Sequence, residues 1–494
     1  MRSIMVVGTA SNAGKSLLCA AFCRLLKQKG YNVTPFKGQN MALNSYVVEN
    51  NLNGSGEIGY AQAVQAWAAQ VKPTVAMNPI LLKPQGDMTS QVIHLGKPVG
   101  ITKAANYYRN YFDSGWQCIQ ASLAKLAADF EVVVCEGAGS PAEVNLRHRD
   151  LTNMRVALHL KAQTILVVNI DLGGAFAHVV GTLQLLPPEE RALIKGIIIN
   201  KFRGQRSLLD SGVEWLEKYT GISVLGVIPY LDIAFPAEDS ASLFERRSRL
   251  NPAELQIVVI RLPRISNFTD FDPLLAEPSI DLKYILPGQS LGQPDAVILP
   301  GSKTTIADLE VLRSTGMIDQ LRQFVNNGGV IMGICGGLQM LGKSIVDPEC
   351  LEGDLNSAIG LNLLPIETVI TPIKTAQQRS TTTNLAPPNL PITGYEIHQG
   401  KSNFSPLENE QVMPWFADPN LGFVTSDRQV WATYLHGIFD NGKWRRSWLN
   451  LLREKKNLPP LTIEVPDYNE QRDQLLDDLA KAIAEHVDLG RLGF

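Results

Sequence analysis

Short apolar, β-branched runs alternate with longer stretches of helical periodicity through the first half of the chain. The runs predict strands at Ile4–Val7, Val132–Cys135, Thr164–Asn169, Lys195–Asn200 and Ser223–Ile228. The periodic stretches predict helices at Ser16–Lys29, Tyr60–Ala69, Gln117–Ala128 and Leu208–Tyr219. Strands and helices in alternation build parallel sheets from βαβ units. From Pro229 to Pro252 the chain turns polar and irregular, and then the pattern restarts. Gln256–Ile260, Ala296–Leu299 and Val330–Ile334 read as buried strands, with helices at Thr305–Leu312, Ile318–Asn326 and Leu338–Leu341. A strand-rich part ends in Val430–Leu435, and Pro372–Pro391, rich in Thr, Gln and Pro, reads as an exposed excursion. An amphipathic helix at Gln471–His486 is expected to dock its apolar stripe on the body. The expected fold class is therefore α/β with two domains, 1–230 and 253–445, a linker at 231–252 and a helical tail at 446–494.

Composition narrows the class of protein. With 494 residues, 45% hydrophobic and 19% charged, the chain buries large cores, which excludes disordered and collagen-like classes. The 45 Lys+Arg nearly balance 48 Asp+Glu. That balance gives no global reason to expect nucleic acid or an anionic membrane as partner. Six cysteines without a C-x-x-C pair do not make a disulfide framework, and Cys19 and Cys23 read as packing on one helix face. No apolar run approaches the ~18 residues of a membrane span. Ile4–Val7 runs straight into a Gly-rich turn, as a first strand does and a signal core does not. A reduced, cytoplasmic setting is expected.

The Gly-rich turn is the first chemical signal. Gly8-Thr-Ala-Ser-Asn-Ala-Gly14-Lys15-Ser16 follows an apolar strand and opens an apolar helix, the setting of a phosphate-binding loop. Backbone N–H groups there attract phosphate oxygens, Lys15 reaches the β/γ-phosphates and Ser16 ligates Mg²⁺. Five residues separate the two glycines where the usual motif has four, so the strict pattern fails. Carboxylates for a Mg·ATP site are sought at the ends of neighbouring strands. Glu136 and Asp171 follow two of them, and Glu57 precedes a helix. Asn200, closing another strand, is a candidate for adenine.

The second signal is a cysteine between a buried strand and a helix, Gly333-Ile-Cys335-Gly336-Gly337-Leu. Glycines on both sides remove side chains that would clash on a tight turn, and a reactive cysteine needs that turn. A thiolate also needs a proton shuttle. His436, in Tyr434-Leu-His436-Gly437, follows a strand and precedes a turn; His398 reads instead as a pocket or core histidine. Backbone N–H groups of Gly336 and of the Pro300-Gly301-Ser302 turn are candidates for an oxyanion hole.

Gly-Ile-Cys335-Gly-Gly-Leu-Gln-Met-Leu-Gly together with Tyr-Leu-His436-Gly resembles the class I glutamine amidotransferases. That resemblance implies a Rossmann-like C-terminal domain in which a Cys–His pair hydrolyses glutamine. Many members carry Glu two residues after the histidine; here the position is Ile438, as in the cobalamin-biosynthesis branch, and the group that orients His436 stays open. The phosphate loop, spacing included, resembles that of dethiobiotin synthetase and its relatives, implying an N-terminal P-loop, parallel-sheet, ATPase-like domain. Lys37–Ser45, Asn78–Pro84, Glu136–Leu146 and Arg261–Asp270 resemble the cobyric acid synthase family. Leu172 stands where that family leads one to expect Arg.

The resemblance implies ATP- and glutamine-dependent amidation of four side-chain carboxylates (b, d, e and g) of adenosylcobyrinic acid a,c-diamide. Its cofactors are ATP and Mg²⁺, and its partners are a corrinoid and glutamine. An anionic corrin calls for a local basic and amide-rich pocket, for which Lys37, Asn40, Asn44, Lys83, Asn145 and Arg147 are candidates. A related enzyme amidating another carboxylate, such as the a,c-diamide synthase, is one alternative. A P-loop ATPase switch with a glutaminase-like domain is another, although such switches usually carry an extra lysine early in the loop and residues 9–13 have none.

Overall fold

The computed structural model describes residues 1–49, 54–86, 88–231, 233, 235, 253–385, 387–404 and 412–494. The linker expected at 231–252 lies almost wholly outside the described residues.

The apolar runs of the first half assemble into one six-stranded sheet, ordered Val224–Pro229, Ile194–Phe202, Gln163–Asn169, Arg2–Gly8, Val132–Glu136 and Val33–Phe36. Every neighbouring pair is parallel. The central strands are covered on both faces and therefore read as continuous Val and Ile rather than alternation. Each such side chain contributes roughly 1.5–3 kcal/mol by leaving water. Helix Lys15–Gln28 covers one face, and its Cys19 and Cys23 are buried packing residues whose thiols burial pushes upward. Helix Ala104–Asp129 is much longer than the periodicity at Gln117–Ala128 suggests, because its first half is amphipathic only in part.

A second sheet has seven strands: Ile280–Ile285, Leu255–Ile260, Ala296–Leu299, Val330–Ile334, Val430–Thr433, Gly422–Thr425 and Val412–Pro414. The first five run parallel and the last two antiparallel. The segment expected as an exposed excursion, Pro372–Pro391, is instead mostly part of a long hairpin, Ile366–Thr382 with Pro391–Phe404. Thr and Gln suit a strand as well as a loop, and Pro372 sits where the register shifts between Ile370 and Thr375. The hairpin reaches the other domain, where Gln378 donates to the Val47 carbonyl and Tyr395 and Ile397 pack on Val47.

Helix Gly442–Lys455 seats Trp444, Trp448, Leu449 and Leu452 in the C-terminal core, so the boundary expected at 445 falls inside a helix. Helix Tyr468–Ala484 crosses back and lays Leu476, Leu479 and Ile483 against the phosphate-loop helix. Asp473 and Asp477 ion-pair there with the buried Arg24. Among the described residues, no helix is long and apolar enough to cross a membrane.

Candidate functional site

Strand Arg2–Gly8 delivers the chain into the loop ending at Gly14, whose φ of 97° is the left-handed region that glycine tolerates. A Cβ at Gly14 would also collide with the Asn200 side chain. Asn200 donates to the Ala13 carbonyl at 2.8 Å and accepts from the Lys201 N–H at 2.8 Å. These two bonds brace the loop, and Nδ2 and Oδ1 each keep one further bonding position for the adenine expected there. Lys15 Nζ lies 3.1 Å from the carbonyls of Ala10 and Gly139, folded over the loop.

Glu136, at the end of the neighbouring strand, accepts from Ser16 Oγ at 2.9 Å. Its carboxylate also takes Lys37 at 2.7 Å, Gln62 at 3.4 Å and Gln65. Lys37, expected in the substrate pocket, thus also reaches the phosphate-loop site. Gln62 and Gln65 went unsuspected, because glutamines on a helix carry no sequence signal of their own. Ser16 and Glu136 are hard oxygen donors within reach of one ion, and Mg²⁺ takes one or two protein oxygens and completes its shell with phosphate and water. Glu57 does not join them. Both its oxygens are taken by lysines, Lys83 at 3.0 Å and Lys374, which hold its carboxyl at about 2 against the cost of burial. Two ammonium groups at one carboxylate exclude a cation, so the metal expectation for Glu57 is corrected. Asp171 pairs with Arg203 at 3.1 Å on a half-exposed surface, beside the exposed Leu172.

Strand Val330–Ile334 ends at Cys335, which has φ 53° and ψ −106°. A non-glycine residue in that conformation is strained, as at the nucleophile elbow of other enzymes. The elbow is packed to contact. A Cβ on Gly337 would collide with the Leu299 carbonyl, and one on Gly336 would lie 2.8 Å from the Ser302 nitrogen. Gly301 sits against His436, its Cβ position 3.4 Å from Cε1. The fold thus gathers Cys335, Gly336, Gly301 and His436.

His436 lies flat against Tyr395, ring centroids 5.3 Å apart, and the Cys335 thiol donates to the Ile397 carbonyl at 3.7 Å. Its Nδ1 faces Asp270 Oδ2 at 2.7 Å, and the other Asp270 oxygen accepts from the Gly437 N–H at 3.0 Å. Burial opposes the imidazolium, but the Asp270 carboxylate and Cys335 outweigh it and push His436 up to about 10. Asp270 is thus the orienting group that the absence of Glu at 438 left open. His398 stacks on Tyr434 at 3.9 Å and bonds Glu396 and the Gly400 carbonyl, a pocket residue as expected.

Of the other residues expected at the substrate pocket, Asn44 and Lys83 lie at the seam between the domains. Asn44 accepts from the Phe268 N–H at 3.0 Å, and Asn40 donates to Gln62 at 2.8 Å. Both are buried. Lys83 bonds Ser45 Oγ at 2.9 Å and lines the cavity at Cys335. Asn145 is exposed, and Arg147 donates to the Leu185 carbonyl. Asn267 ties the seam by donating to the Ser45 carbonyl at 3.0 Å and to the Tyr395 hydroxyl at 2.9 Å.

A phosphate loop on one parallel sheet and a Cys–His–Asp set beside the other define a glutamine amidotransferase joined to a nucleotide-binding domain. Residues 4–242 match the CobQ/CobB/MinD/ParA nucleotide binding domain, and residues 256–444 match the CobB/CobQ-like glutamine amidotransferase domain. The chain is 61% identical over 490 residues to the cobyric acid synthase of a Nostoc species, covering 99% of both chains. It is 60% identical to those of Trichodesmium erythraeum and Synechocystis, covering 99% of this chain and 99% and 97% of theirs. The chain belongs to the cobyric acid synthase family.

Proposed function

We propose that the chain amidates the b, d, e and g carboxylates of adenosylcobyrinic acid a,c-diamide, using ATP and glutamine. The observation that supports this best is the joining of two half-sites in one molecule, Cys335–His436–Asp270 and Lys15–Ser16–Glu136, across a buried seam.

In the amidotransferase half, the imidazolium of His436 favours the Cys335 thiolate. The thiolate attacks the glutamine carboxamide carbon, with the oxyanion held by the N–H groups of Gly336 and the Gly301 turn. His436 gives its proton to the departing nitrogen, ammonia leaves and a thioester remains. His436 then takes a proton from water, which releases glutamate and frees the thiol. In the other half, a corrin carboxylate oxygen attacks the γ-phosphorus of ATP, ADP leaves and an acyl phosphate forms. Lys15 steadies the phosphate oxygens. Ser16 and Glu136 would hold Mg²⁺, which supplies neutralising charge to the transferring group. Ammonia attacks the acyl carbon and phosphate leaves with its electron pair. Ammonia free in neutral water is mostly ammonium and not nucleophilic, which favours a sheltered path between the two half-sites.

Incubation with ATP, glutamine and either cobyrinic acid or its a,c-diamide tests the substrate. Four successive mass changes on the diamide are expected; a diamide left unmodified overturns the proposal.

A further inference from the structure

The cavity in front of Cys335 holds more charge than cysteine chemistry uses. Lys83, Lys303, Glu352, Lys374 and His398 all line it. Lys83 and Lys374 are accounted for, because both bind Glu57. Lys303 and Glu352 are not. Lys303 is only 8% exposed and Glu352 9%. Among the described residues neither has an oppositely charged partner within 4.0 Å, and they do not pair with each other.

Leaving two opposite charges buried and apart is costly, since each loses water without gaining an oppositely charged partner. Burial accordingly pushes the Lys303 ammonium down and the Glu352 carboxyl up, and each partly offsets the other. The fold holds both in place. Lys303 lies between strand Gly301–Ser302 and helix Thr305–Ser314, one residue beyond the turn packed on Gly336. Glu352 accepts from the Thr305 N–H at 2.7 Å, and its own N–H donates to the buried Asp347 at 2.8 Å. A group that carries both charges and leaves an amide arm free would fill this gap. The head of an α-amino acid is such a group.

We propose that Lys303 binds the α-carboxylate, and Glu352 the α-ammonium group, of the glutamine whose carboxamide meets Cys335. The assignment rests on the glutaminase reading above. It makes glutamine selection a property of the cavity wall contributed by the Gly301–Thr305 turn and the Asp347–Glu352 loop. The neighbouring residue Leu351 is held through its carbonyl by Gln85 of the other domain, at 2.9 Å. The amino-acid head therefore binds against a loop that both domains position.

The test uses the full chain with glutamine, glutaramate (no α-amine) and 4-aminobutanamide (no α-carboxylate), measuring ammonia release. The unmodified chain should prefer glutamine over both analogues by at least about 100-fold in kcat/KM, since each analogue strands one buried charge. Lys303→Met should bring glutamine and 4-aminobutanamide to within about threefold of each other, acting on KM more than kcat. Glu352→Gln should do the same for glutamine and glutaramate. A folded variant that keeps its discrimination, or one that loses both equally, overturns the assignment. If neither variant folds, the unmodified chain decides alone: equal turnover of all three amides overturns the assignment and selective turnover of glutamine sustains it. No release from glutamine overturns the glutaminase reading as well.

Discussion

Asp270 and His436 stand 166 residues apart in the chain and 2.7 Å apart in the fold, carboxylate Oδ2 to imidazole Nδ1. The contact supplies from another loop what many class I amidotransferases place two residues after the histidine. Asp270→Asn should cut glutamine hydrolysis by on the order of 10²–10⁴-fold, the scale seen when an orienting carboxylate is lost from such a set.

The same pair makes stability depend on pH in one direction. His436 is raised from 6.5 to about 10, so the contribution of the pair is fully present below 6.5 and lost as pH rises through about 10. The difference in Tm between the unmodified chain and Asp270→Asn should therefore be largest near pH 6 and shrink toward pH ~10. A difference that stays constant across that range would contradict the paired imidazolium.

Cys335→Ala should abolish glutamine-driven synthesis and keep synthesis driven by high ammonia. Lys15→Ala should abolish both, with circular dichroism confirming that each variant is folded. Synthesis from glutamine by Cys335→Ala would remove the nucleophile assignment.

Glu136 carries the negative charge for a buried lysine, with side-chain exposures of 4% for Lys37 and 0% for Glu136. Glu136→Gln removes the carboxylate charge facing the buried Lys37 and should destabilise by about 3 kcal/mol. ATP-dependent acyl-phosphate formation should fall with it, while glutamine hydrolysis by the other domain persists. Urea denaturation and separate half-reaction assays check both; unchanged denaturation would mean that Lys37 finds another partner.

Glu57 joins the domains, taking Lys83 from its own domain and Lys374 from the long hairpin. Burial, partly offset by Glu57, has lowered Lys374 to about 7. Glu57→Gln should loosen this seam, so that glutamate released exceeds amide formed. The ratio of the two products measures the leak, and a ratio left at that of the unmodified chain would show that the seam holds without this charge.

The parallel sheets, phosphate loop and cysteine elbow were legible because each is encoded locally, in a run of neighbouring residues. Asp270 was not, although its segment Arg261–Asp270 stood out, because nothing local ties an acid to a histidine 166 positions away. Glu57 is taken for a metal ligand for a related reason. Polar side chains near a phosphate loop look alike in sequence whether they face a ligand or a second domain. The hairpin reads as a loop because Thr, Gln and Pro dominate its first strand and tip, while the apolar Ile392, Tyr395 and Ile397 that anchor it lie on the second strand.

The helix Tyr468–Ala484 sits on the phosphate-loop helix, yet it is synthesised after the whole amidotransferase domain. During translation, Leu18, Phe22 and Leu26 of the first domain thus wait for Leu476, Leu479 and Ile483 before their shared core is closed. The ribosome releases a nucleotide-binding domain that is finished only once its ammonia source has been made. A chain truncated before Tyr468 therefore leaves the apolar side of the phosphate-loop helix without Leu476, Leu479 and Ile483 to cover it.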